Sequence, residues 1–102
     1  MVISEAVIIF KDDDKQYQAW AETHPHGFVI NTDRRINRKY LSLHKATCRM
    51  IRNYTRMARP GGFTERAYIK ICSEDLETLR QWARGHGDPK DGFTQRCKIC
   101  LP

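Results

Sequence analysis

Nowhere in this chain do apolar residues run to the about 20 that a membrane span requires. The opening stretch MVISEAVIIFKDDD has neither a basic leader nor a small-residue cleavage site, so a cytoplasmic chain with no membrane partner is expected. Six glycines and four prolines in 102 residues exclude collagen-like and low-complexity architectures. Hydrophobic residues at 40 % beside charged residues at 29 % argue against intrinsic disorder. The length leaves room for one ordinary domain, read as residues 1–102, near the lower limit for an unaided core.

Acid is nearly missing from the middle of the chain. Residues 33–70 hold eleven Lys or Arg against Asp33 and Glu65, a local balance of +9, so the remainder balances at −3 and the whole at +6. Arginine outnumbers lysine there eight to three, which suits bidentate contact with phosphate or guanine. A polyanionic partner follows, nucleic acid and DNA before RNA. Arg34, Arg35, Arg38 and Lys39 crowd the loop between two strand-like runs, and Lys45 follows the second run. Arg49, Arg52, Arg56 and Arg59 recur on the next segment with Tyr54 and Asn53 among them, as phosphate, stacking and base-edge groups would. A merely solvated charged face is the competing reading.

The order of elements reads as β-α-β-β-(α)-β-α. EAVIIF (5–10) is apolar and β-branched, as a strand buried on both faces would be. DDDKQYQAWAET offers Asp12 or Asp13 as an N-cap and puts Tyr17, Trp20 and Ala21 on one helical face. FVINT (28–32) and YLSLH (40–44) form a strand pair, with Tyr40, Ser42 and His44 on the face away from Leu41 and Leu43. A short helix is expected in 46–58, where Met50, Ile51 and Tyr54 have helical spacing, and a strand in AYIKIC (67–72). SEDLETLRQWARGHG is the clearest helix, with Ser73 as N-cap, Leu76, Leu79 and Trp82 or Ala83 inward, and Gly85 or Gly87 as the stop. The expected fold class is α+β: a small antiparallel sheet of about four strands with two to three helices.

Four cysteines in a reducing compartment favour metal thiolates over structural disulfides. Cys97 and Cys100 in CKIC make one two-ligand knuckle, and His44 and Cys48 in HKATC offer the other where strand gives way to helix. Together they compose a Cys3His set suited to structural Zn2+, which would close the fold by clasping the C-terminal tail to the strand pair. A thioredoxin-like redox pair fits less well, because such pairs open a helix after a strand. Cys48 as a packing residue and His44 as an exposed strand residue stay open, with Cys72, His24, His26 and His86 as substitutes.

No phosphate-binding glycine loop, HExxH, GxSxG or two-metal carboxylate cluster occurs, so enzyme activity is uncertain, leaning against it, and no catalytic residue is assigned. The combination HPHGFVINTDRR, YLSLHKATC, YIKIC and CKIC, from about Trp20 to Cys100, resembles a small domain found beside HNH-type nucleases in bacterial restriction proteins. The resemblance implies a recognition or accessory module and supports LHKATC and CKIC belonging together. Two other functions remain open: a protein-binding module or inhibitor that sets its basic face against a larger acidic protein, and a nuclease or nucleic-acid-modifying enzyme.

Overall fold

The computed structural model describes residues 7–48, 51 and 62–100. They form an α+β domain with a five-stranded sheet and two helices. The strands are β1 (Ile8–Phe10), β2 (Phe28–Asp33), β3 (Ser42–Lys45), β4 (Tyr68–Ser73) and β5 (Gln95–Arg96), in the order β1-β4-β2-β3-β5. The helices are α1 (Asp14–Thr23) and α2 (Leu76–His86).

Strand alternation divides the core in two, one half on each sheet face. Val29 and Cys72 pack with Tyr17, Trp20 and Ala21 of α1. Ile30, Leu43 and Ile71 pack with Leu79 and Ala83 of α2. The register Val29↔His44 and Val29↔Cys72 puts His44 on the α1 side of the sheet, away from the leucines as its alternation implied.

Two differences from the sequence expectation concern the sheet. The sheet is mixed, with five strands, because Gln95–Arg96 pairs parallel with Ser42–Leu43. Thr94 anchors this addition: its hydroxyl accepts from Leu41 N at 2.8 Å, and its own N–H donates to Leu41 O at 3.0 Å. β1, in turn, is an edge strand paired only with β4, which leaves Ile8 and Ile9 exposed rather than buried on both faces.

The helix starts are set by aspartates. Asp13 caps α1 by accepting from Gln16 N at 3.0 Å. Asp75, not Ser73, caps α2, accepting from both N and Oγ1 of Thr78. Ser73 closes β4, and its hydroxyl accepts from Asp75 N. Gly87 ends the helix, and Gly92 then turns the chain at φ +90, where an added Cβ would meet Arg80 O at 2.9 Å. Of the helix expected in 46–58, residues 46–48 are described and form a turn instead, while Ile51 is helical and buried in the α1-side core, its carbonyl accepting from Tyr17 Oη at 2.6 Å. Arg49, Arg52, Tyr54, Arg56 and Arg59 lie outside the described residues.

Asp14 ties α1 to the loop that leads into β4. Its buried carboxylate accepts from Thr64 N at 2.6 Å, Thr64 Oγ1 at 2.7 Å and Phe63 N at 3.3 Å. Bonds to a charged acceptor are the strong ones, and buried donors left bare add a further cost. Asp14→Ala is expected to lower unfolding free energy by about 3 kcal/mol in urea denaturation, and Asp14→Asn, which keeps an acceptor, by less.

Candidate metal centre

The four residues singled out in the sequence converge. One ligand atom from each of His44, Cys48, Cys97 and Cys100 lies within 4.8 Å of every other. β3 delivers His44, and a tight turn, closed by Cys48 N donating to Lys45 O, swings Cys48 back beside it. The parallel pairing of β5 with β3 delivers the tail: Cys97 N donates to Leu43 O at 2.9 Å and so begins the knuckle alongside His44. Clasping of the tail to the strand pair is therefore a direct result of β5.

Three features suit this cluster to a metal ion. The Cys48 and Cys97 sulfurs stand 3.8 Å apart, the edge of a tetrahedron whose metal–sulfur bonds are about 2.3 Å. Backbone N–H groups point at the sulfurs, Ile99 N at Cys97 Sγ (3.3 Å) and Lys45 N at Cys100 Sγ (3.2 Å). Burial pushes the Cys97 thiol up, but N–H donors from Cys100 and Ile99 and the neighbouring Cys48 and Cys100 thiols outweigh it, holding Cys97 below the usual thiol range. The third feature is His44: its Nδ1 is buried and has no hydrogen-bond partner, while its Nε2 lies 3.3 Å from Ser42 Oγ. An imidazole in a cluster with three thiols, with one ring nitrogen unpartnered and the other near a hydroxyl, suits metal ligation.

Ligation requires neutral imidazole, and the surroundings supply it. Burial, reinforced by the charge of Lys70, pushes His44 down to about 4. Lys70 is itself only 3 % exposed, in a central strand. Its Nζ donates to Asn31 Oδ1 at 2.7 Å and to Phe63 O at 2.8 Å, and Asn31 Nδ2 donates to Tyr40 Oη at 2.9 Å. Burial lowers Lys70 to about 8, against the opposing pull of Cys72 and Asp14.

Between the metal cluster and the β2–β3 loop runs a cleft of about 350 Å3 along the α1-side face of β3, lined by Asn31, Tyr40, Ser42 and His44 and flanked by Ile51 and Lys98. Sequence reasoning placed Tyr40, Ser42 and His44 on one face but gave only the histidine a role. A lysine inside the otherwise apolar YIKIC was the available signal for a buried polar network.

The expected nucleic-acid contacts are distributed unevenly. Arg35, Arg38, Lys39 and Lys45 are exposed, although Arg38 also donates to Gly87 O at 3.3 Å. Arg34 is engaged inside the molecule, with Asp12 at 2.7 Å and the carbonyls of Thr64 and Arg66. The substitute ligands are elsewhere: Cys72 is in the core, His24 stacks on Trp20, and His86 stacks on Trp82. No protein-family model, curated protein or solved structure matches the chain.

Two outcomes follow. Metal analysis of the purified protein is expected to give one ion per chain, lost in Cys48→Ser and Cys97→Ser but kept in Cys72→Ala; retention in Cys48→Ser would contradict the assignment. Lys70, in turn, sets a pH dependence. Below pH 8 both folded and unfolded chains carry its proton, and between pH 8 and 10.5 only the unfolded chain does, so raising pH favours folding in that window. Cys72, raised by burial, acts in the opposite sense, so the difference between wild type and Lys70→Met isolates the effect. That difference in unfolding free energy is expected to move in favour of wild type by roughly 3 kcal/mol across the window.

Proposed function

We propose that the chain is a DNA-binding domain clasped by one structural zinc ion, a recognition or accessory module of a bacterial restriction-type system. The observation that carries the binding function is the +9 balance of residues 33–70. Solvation of a surface needs no such bias, whereas a phosphate backbone rewards each cation with released counterions. The β2–β3 loop is suited to present part of this charge. Asn37 donates to Asp33 Oδ2 at 2.9 Å and accepts from Lys39 N at 2.9 Å, which fixes the loop that bears Arg35, Arg38 and Lys39.

Zinc is the metal favoured by three thiolates and an imidazole in tetrahedral array, and four protein ligands leave no open position for a reacting water. In this reading the ion holds the binding surface in place and does no chemistry. The imidazole contributes through neutral Nδ1, and the N–H groups of Lys45 and Ile99 offset the charge of the sulfurs.

Titration of labelled duplex DNA, duplex RNA and single strands against salt tests the function. With about four phosphates neutralised, affinity for DNA is expected to fall roughly 100-fold between about 50 and 200 mM salt. The double variant Arg35→Glu/Lys39→Glu is expected to weaken binding on every sequence while metal content stays at one. Absence of binding to any nucleic acid at about 50 mM salt overturns the reading and leaves an acidic protein surface as the partner to seek.

A further inference from the structure

The cleft on the α1-side face of β3 has a consistent hydrogen-bonding sense. Two internal relays run into it, and each ends on a hydroxyl. In the first, buried Lys70 Nζ donates to Asn31 Oδ1, and Asn31 Nδ2 donates to Tyr40 Oη. The phenol oxygen is thus used as an acceptor, and its proton is left to point outward. In the second, Nε2 of His44 lies 3.3 Å from Ser42 Oγ while Nδ1 has no hydrogen-bond partner; a metal taken at Nδ1 would leave the proton of the neutral ring on Nε2, to be donated to Ser42 Oγ. Ser42 then also has its proton to give. The cleft then presents two O–H donors, from Ser42 on β3 and from Tyr40 just before it, and Asn31, the partner of Ser42 in the register, lines the cleft with them.

The rest of the cleft defines what surrounds such an acceptor. Lys98 is exposed on one wall and makes no ion pair among the described residues, and Arg96 nearby pairs with Asp91 at 3.4 Å. Ile51 and Ile99 supply apolar sides, and Ile99 is 53 % exposed. A volume of about 350 Å3 is at the small end of ligand sites, too small for a duplex and sufficient for one flat ring with its anionic attachment.

We propose that this cleft holds one unpaired nucleotide whose base edge presents carbonyl acceptors, as uracil, thymine and guanine do. The carbonyls take the protons of Tyr40 and Ser42, the ring lies between Ile51 and Ile99, and the phosphate meets Lys98. Adenine offers an amino donor at the corresponding edge and is disfavoured there, since two donors would face each other. The inference rests on the nucleic-acid reading above and names the site and the base class that the reading leaves open. It also gives the metal cluster a second consequence, because ligation at Nδ1 is what commits Ser42 to donate outward.

Two measurements test it separately from that reading. In the first, uridine and adenosine monophosphates are titrated into the metal-loaded protein and followed by backbone amide NMR shifts. Uridine monophosphate is expected to shift Asn31, Ser42 and Lys98 at millimolar concentration, and adenosine monophosphate to do so at least about 5-fold more weakly. In the second, labelled oligo(dT) and oligo(dA) of equal length are compared at low salt. Oligo(dT) is expected to bind about 5-fold tighter or more, a preference abolished in Tyr40→Phe/Ser42→Ala. Equal affinity for the two oligonucleotides in wild type, or a preference kept by the double variant, overturns the cleft assignment and leaves DNA binding standing. Uridine monophosphate shifts at these amides without oligonucleotide binding support the cleft and overturn the DNA-binding function. No response in either measurement overturns both.

Discussion

Beyond Gly87 the chain has almost no apolar surface with which to hold itself in place: from residue 88 to residue 100 Phe93 is the one fully buried apolar side chain. A segment so composed cannot offset its ordering entropy by burial alone. Phe93 enters the α2-side core with the guanidinium groups of Arg80 and Arg96 against its ring at 5.6 and 5.4 Å, and Asp91 pairs with both. Thr94 then fixes two residues of strand on Leu41. Past that point the tail meets the sheet through one more backbone bond, from Cys97 N to Leu43 O, and through its two thiols. Three sulfurs crowded near one imidazole are stable together only as thiols or around a cation, because thiolates at such separations repel. The end of the tail beyond β5, and with it the wall of the cleft that bears Lys98 and Ile99, depends on this one cluster.

The site was more legible in the sequence than the sheet that builds it. Alternation in YLSLH sends His44 to the face opposite Leu41 and Leu43, and the spacing to Cys48 is short enough for one turn to close; both signals are local. The tail strand is not local. Two residues show no alternation, and Gln95–Arg96 is a strand only because Leu41 and Leu43 present free backbone groups to it. A similar gap separates EAVIIF from its environment: β-branched residues announce a strand but not whether it has one neighbour or two. Ser73 looked like a cap because serine caps helices well, yet Asp75 offers a carboxylate to two groups of Thr78, and the charged acceptor wins.

Charge was the least local property of all. The +9 of residues 33–70 is a formal balance, and folding divides it. Arg34 is bound to Asp12 and two carbonyls at the start of α1, where it helps Asp14 hold residues 63–65. Lys70 is consumed in the interior. What remains of it on the described surface is a group of cations on the β2–β3 loop, Arg66, and Lys45, which with Lys98 from outside the segment makes a smaller group beside the metal cluster. The two groups sit at opposite ends of β3, with Tyr40, Ser42 and His44 strung between them. An extended polyanion crossing from one to the other would pass over the cleft.

Burying Lys70 in a central strand is costly, and an apolar residue there would give a more stable core. The ammonium nonetheless does three things that a methyl group cannot: it satisfies the Phe63 carbonyl, it orients the Asn31 amide, and its charge adds to the burial that lowers His44. The second and third act on Asn31 and His44, the residues that contact Tyr40 Oη and Ser42 Oγ. A conformationally specifying charge of this kind earns its place in a small domain when the surface it shapes is used. The hydrogen bonds that run from Lys70 through Asn31 to Tyr40 are thus the clearest physical link between the core of this fold and the face proposed to meet a ligand.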